Sequence, residues 1–151
     1  MHALITFQLY VLEVLDLPTK VEYDDLFGKR FEPGAVGPDA YDCYSLCAEI
    51  RTRAGKELSL QETLWAEDFR NIRLRHALIT EGKKRFVQLE GPEPFCLVCF
   101  KLRPPYVTHM GVVLADCRQF IHITKKTGIT VESITKDPWL RKIDGFYEHI
   151  S

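Results

Sequence analysis

The chain has 151 residues, is 46% hydrophobic and 27% charged, and carries a formal net charge of -1. These values describe one globular domain, 1–151, large enough to bury a core without a metal or a disulfide staple. The near-balanced charge excludes the strong fields that draw a protein onto nucleic acid or a membrane surface, so neither partner is expected, and no motif calls for a cofactor.

Residues 3–15 are apolar and read as a buried strand or a short helix. They do not make a signal peptide, because no Lys or Arg precedes the apolar run and Gln8, Glu13 and Asp16 interrupt it. No stretch is apolar enough to cross a bilayer. Synthesis in the cytoplasm is expected, and a site of action in a virion tail or at the cell wall would require a dedicated delivery machine. The odd set of Cys43, Cys47, Cys96, Cys99 and Cys117 fits a reducing compartment better than a disulfide framework.

Asp24 to Phe27 can form one helical turn, and Gly28 to Ala40 reads as a loop because Gly28, Pro33, Gly34, Gly37 and Pro38 crowd it. A helix then starts with Asp42 as N-cap and Cys43 as its first residue. Leu46, Cys47, Ile50 and Ala54 recur at helical spacing, and Gly55 suits a left-handed cap. A second helix is expected within Gln61–Ile79, with Leu64, Trp65, Phe69 and Ile72 inward. Segments 95–102, 106–114, 118–124, 128–134 and 140–149 read as strands, rich in Val, Ile, Phe and Thr. Short connections imply antiparallel pairing, and helices followed by such a sheet give an α+β domain.

Cys43 is the most informative residue. The first turn of a helix offers unpaired N–H groups and the positive end of the macrodipole, which favour a thiolate, the reactive form of cysteine. Such a thiol is expected to be the most reactive of the five. The competing reading is a small buried apolar residue. A cysteine nucleophile needs a base, and the base an orienting partner. His109 and His122 lie on successive predicted strands. A hairpin pairing Leu114 with Cys117 sets them directly opposite each other on one face. Gly111, on that face with His109, leaves room for another backbone such as the Cys43 helix.

The residues in this order resemble the NlpC family of bacterial papain-like cysteine peptidases. The likeness lies in LFGKRFEPGAVGPDAYDCYSL (26–46), THMGVVLADCRQFIH (108–122) and GITVESITKDPWLRKIDGFYEH (128–149). It implies a papain-like fold, with N-terminal helices packed on a central antiparallel sheet, and hydrolysis of amide bonds in peptidoglycan stem peptides. Cys43 is then the nucleophile, His109 the base and His122 its orienting residue. The Cys43 backbone N–H is the candidate oxyanion donor, with Phe31, Asp42 and Tyr44 flanking the substrate. Gly-Pro-Asp-Ala-Tyr before Asp-Cys, with Tyr44 after it, is most similar to phage and prophage tail forms. Tail proteins or an immunity-type inhibitor would then be partners. Phe31 stands where the family often has tyrosine, Ser45 where glycine is common, and Phe95-Cys96 where Gly-Asp often opens the central strand. Those departures leave a second reading open, a structural or binding module with the same fold. A third keeps the fold for acyl transfer or deamidation.

Cys96 and Cys99 suggest a zinc pair only until they are placed on a strand, where they face opposite sides. Arg70, Arg73, Arg75, Lys83, Lys84 and Arg85 surround His76 and read as a solvated basic surface. Trp65 and Trp139 read as core residues.

Overall fold

The computed structural model describes residues 21–56, 58 and 71–149. The apolar N-terminal segment and Leu64, Trp65, Phe69 and Arg70 lie outside those residues. A 3-10 turn at Asp24–Leu26 opens the described chain. The glycine- and proline-rich stretch after it is not wholly irregular. β1 (Arg30–Phe31) pairs in parallel with β2 (Ala40–Tyr41), which delivers the chain to the first helix.

That helix, α1, spans Cys43–Arg53. Its start is fixed by a capping box. The Asp42 carboxylate accepts the Ser45 amide at 2.8 Å, and Ser45 Oγ accepts the Asp42 amide at 3.0 Å. Ser45 Oγ also donates to the Ala35 carbonyl at 2.6 Å, and Asp42 Oδ2 takes the Gly34 amide at 3.1 Å. The Ser45 hydroxyl therefore clips the loop onto the helix. At the other end Gly55, with φ of 73°, closes a Schellman motif through Gly55 N–H to Thr52 O and Lys56 N–H to Arg51 O.

The second helix of the described residues, α2, spans Ile72–Lys83 and runs past the expected end at Ile79, while the expected stretch 61–70 lies outside the described residues. Asn71 caps it by accepting the Leu74 amide. It buries Ile79 deeply and keeps Ile72 half-buried.

Six strands follow: β3 (Phe86–Leu89), β4 (Leu97–Phe100), β5 (His109–Val113), β6 (Gln119–Thr124), β7 (Gly128–Ser133) and β8 (Ile143–His149). They form one antiparallel sheet in the order β3-β8-β4-β5-β6-β7. β3 is the strand the sequence hides. It has only four residues, at the sheet edge, with two of them exposed, so it shows no apolar run.

The sheet is apolar on both faces. On one, Leu97, Cys99, Met110, Val112, Ile121 and Ile123 pack against Cys43, Leu46, Cys47 and Ile50 of α1. On the other, Cys96, Val98, Phe100, Val113 and Phe120 pack beneath Trp139, Ile143 and Phe146. Cys96 and Cys99 thus fall on opposite faces, as the strand reading requires. Val107, expected to share a face with His109, packs with the α1 cluster instead, because alternation begins only where β5 begins.

Among the described residues, Arg51 is the largest fully buried side chain, 1% exposed. It pairs with Glu148 at 2.6 Å and donates to the Phe95 carbonyl at 2.7 Å, tying α1 to β8 and to the entry of β4. Burial pushes the Glu148 carboxyl up, but hydrogen bonds from Arg51 and Lys56 outweigh it and hold the group at about 2.

Candidate functional site

The β5–β6 hairpin has a four-residue connection, Ala115 to Arg118, closed by the Leu114 amide on the Gln119 carbonyl. Cys117 sits in this turn with a positive φ of 59°, as a turn residue. The register is Val112 with Ile121 and Val113 with Phe120. This corrects the expected direct pairing. His122 stands across from Gly111, and His109 lies on the diagonal from it. The two still share a face, because the shift is two residues, and side chains of this length reach along a diagonal. Nε2 of His109 and Nδ1 of His122 are 2.8 Å apart.

Gly111 makes that diagonal passable. A Cβ there would stand 2.9 Å from the Ile121 carbonyl, 2.9 Å from Phe120 Cδ2 and 3.2 Å from His122 Cβ. The room it leaves is filled by β6 and its side chains, not by the Cys43 helix.

The pattern repeats on the next hairpin. His122 pairs with Thr130, and Glu132 lies on the diagonal. Its Oε2 is 2.5 Å from His122 Nε2, with Thr130 Oγ1 at 3.2 Å from the same nitrogen. Trp139 donates a further hydrogen bond to Glu132. Its ring lies 5.8 Å from that of His109 and 4.7 Å from that of His122, with Phe100 and Phe120 completing the enclosure. Sequence reasoning missed Glu132. The signal was present, since a tight turn at 125–127 pairs Thr124 with Gly128 and sets Thr130 and Glu132 on the face of His122.

Cys43 approaches from the other side of β5. It packs in the cluster that holds Met110, the residue after His109, and the Met110 backbone bears on its thiol. Leu114 bonds β6, so by alternation the Met110 amide also points toward β6. The paired register, however, ends at Val112 and Ile121.

All three groups are buried, with Cys43 2%, His109 4% and His122 1% exposed. Burial dominates their electrostatics. It pushes the Cys43 thiol up to about 12, with the Asp42 carboxylate adding to the rise and Arg75 opposing it. The expected thiolate stabilisation at the helix start is therefore outweighed by desolvation, and in this closed arrangement the sulfur keeps its proton. Burial also lowers His109 well below the usual imidazole range, with His122 and Arg75 contributing. His122 is lowered by burial, against Glu132, which raises it. Burial raises Glu132, but hydrogen bonds from Trp139, His122 and Thr130 bring it below the ordinary carboxylate value.

The remaining candidates have scaffold positions. Both Asp42 oxygens are engaged by backbone amides, which makes this residue a cap and loop clip. Phe31 lies on β1 and Tyr44 on the first turn of α1, both half-buried against the α1 cluster. The Cys43 amide belongs to the first helical position, outside the intrahelical ladder. The basic cluster is only partly a solvated surface. Arg73 is exposed, but Arg75 donates to the Thr108 carbonyl at 2.5 Å, and His76 Nδ1 accepts the Val107 amide at 2.9 Å. Together they pin the approach to His109 onto α2. Among the described residues, no group of three His, Cys, Asp or Glu side chains is arranged to hold a metal ion.

No protein-family model matches the sequence, and no curated protein does. Solved structures do match. NlpC1 from Trichomonas vaginalis aligns with a TM-score of 0.55 at 19% identity, over 83% of this chain and 42% of that one. NlpC2 from the same organism gives 0.57 at 17% identity, over 83% and 43%. A lipoprotein-like NLP/P60 family protein from Staphylococcus aureus gives 0.51 at 19% identity, over 91% and 40%. The chain spans about two fifths of the length of each. At these identities the likeness is one of fold: the helices and antiparallel sheet of this chain share the fold of NlpC/P60 proteins.

Proposed function

We propose that the protein is a cysteine hydrolase that cleaves amide bonds in peptidoglycan stem peptides through Cys43, His109 and His122. The observation that carries this reading is the His109–His122 contact at 2.8 Å, with Cys43, at the helix start, packed in the cluster that holds Met110, the residue next to His109. Because His122 occupies Nε2 of His109, Nδ1 is left to take the thiol proton. The sulfur attacks the scissile carbonyl as His109 removes its proton, and a thioester forms as the imidazolium returns that proton to the leaving amine. Water then cleaves the thioester by the same base. The Cys43 amide is the natural donor to the developing oxyanion. Since the thiol is buried and protonated at rest, turnover requires a local opening that admits substrate to the sulfur.

Mass spectrometry of digests of purified sacculi from several wall types, with Cys43→Ala as control, tests the proposal. Stem-peptide fragments released by the native protein alone support it. Sacculi left intact by the native protein in every case refute it.

The buried thiol, held at about 12, also favours a second reading, in which the fold serves as a non-catalytic module. That reading predicts full biological function from Cys43→Ala. A phage-tail setting, with tail proteins as partners, rests on the residues around Asp42–Cys43. An immunity-type inhibitor would instead accompany delivery as a toxin.

A further inference from the structure

We propose that Glu132 is the positioning residue of the histidine pair, setting the tautomers of His122 and His109 and supplying the negative charge that a buried imidazolium needs. This rests on the functional reading above and assigns a role to a residue outside its three members.

An ionised carboxylate only accepts hydrogen bonds, and Glu132 receives them from Trp139 and Thr130 as well. The His122 nitrogen facing it at 2.5 Å therefore carries a proton. A neutral imidazole with hydrogen on Nε2 has a lone pair on Nδ1. That lone pair faces Nε2 of His109 at 2.8 Å, so this nitrogen is the donor. His109 then has its own lone pair on Nδ1, as a base must. The choice made at Glu132 passes along two diagonals of the sheet to the reacting pair. Reversing it would aim a lone pair at the carboxylate.

Charge gives a second reason. When His109 takes the Cys43 proton, a cation forms in a site 4% exposed. Around the pair stand Cys43 from α1, Arg75 from α2, His109 on β5 and Thr130 and Glu132 on β7, with Lys142 beyond the Trp139 ring. Arg75 is a cation and Asp42 is spent on two amides, which leaves Glu132 as the carboxylate hydrogen-bonded to the pair. It is 40% exposed, so its own ionisation is not suppressed by full burial. No proton needs to reach it; His122 stays neutral between the two charges.

The test uses the full chain labelled with nitrogen-15 in histidine. In the native protein, long-range nitrogen–proton spectra should show hydrogen on Nε2 of both His109 and His122. Glu132→Gln, which keeps size and an acceptor oxygen, should keep that tautomer but lower the pH at which His122 protonates. Glu132→Ala should yield mixed tautomers at His122. For hydrolysis, both variants should lose about 10–100-fold in kcat with little change in KM, as loss of an orienting partner does, and Glu132→Asp should recover part of it. Hydrogen on Nδ1 of His122 in the native protein, or tautomers and titration unmoved in both variants, would overturn the assignment. The spectra need no substrate. A native protein that cuts nothing yet shows these tautomer shifts would refute the hydrolase and leave the assignment standing.

Discussion

The resting state of Cys43 makes a quantitative prediction about thiol chemistry. With the thiol at about 12, the thiolate fraction near pH 7.5 is about 3 × 10⁻⁵, against about 0.1 for an unperturbed thiol. That deficit is about 3,000-fold. The thiolate of a more basic thiol is a better nucleophile, which returns about 25- to 60-fold. Alkylation of Cys43 should thus run about 50- to 100-fold slower than that of a free thiol from ionisation alone. Its 2% exposure slows it further, by the cost of local opening. Iodoacetamide labelling followed by peptide mapping measures this directly. Cys117, half-exposed in its turn, should label first. The Cys43 rate should climb about tenfold per pH unit with no plateau below about pH 9. A plateau at neutral pH with Cys43 ahead of Cys117 would refute the reasoning, because it would mean an open site with a preformed thiolate.

The remaining predictions concern the scaffold. Gly111→Ala forces a Cβ against the Ile121 carbonyl and His122, and should cost about 1–3 kcal/mol by thermal melting while displacing the His122 ring signals. An unchanged melt would mean that β5 and β6 are less close than described. Asp42→Ala strands the Ser45 and Gly34 amides and should cost about 1–2 kcal/mol in chemical denaturation. Glu148, depressed to about 2 by Arg51 and Lys56, contributes stability that is complete above its unfolded pKa of about 4.3 and is lost as pH falls through about 2. Urea midpoints should fall across that window, and an Arg51→Met variant should lose most of the slope there.

Much of this was legible in the residues. Asp42, Cys43 and Gly55 gave the first helix with both caps because capping is local chemistry that a few neighbouring residues decide. The five long strand segments were visible through β-branched and aromatic residues, while β3 was not, since an edge strand of four residues needs no apolar pattern. The histidine pair was found, but for a register two residues away from the true one. Hairpin loop length is set by turn geometry that sequence specifies weakly, and only the even shift kept both rings on one face. Glu132 escaped because its value is positional: it matters through a second diagonal set by the β6–β7 register, beside Trp139, which the sequence did place in the core. The buried thiol, open only as the competing reading, was outranked for a different reason. A helix start favours the thiolate, whereas desolvation depends on everything packed around it, and desolvation won.

In the proposed reaction the sulfur of Cys43 forms a bond to substrate with His109 as its base. Acid-quenched reactions with soluble stem peptides, followed by peptide mapping, would catch the thioester. An acyl mass is expected on the Cys43 peptide, lost in Cys43→Ala and suppressed in His109→Ala. Undiminished cleavage by either variant, or the acyl group on another residue, would contradict it.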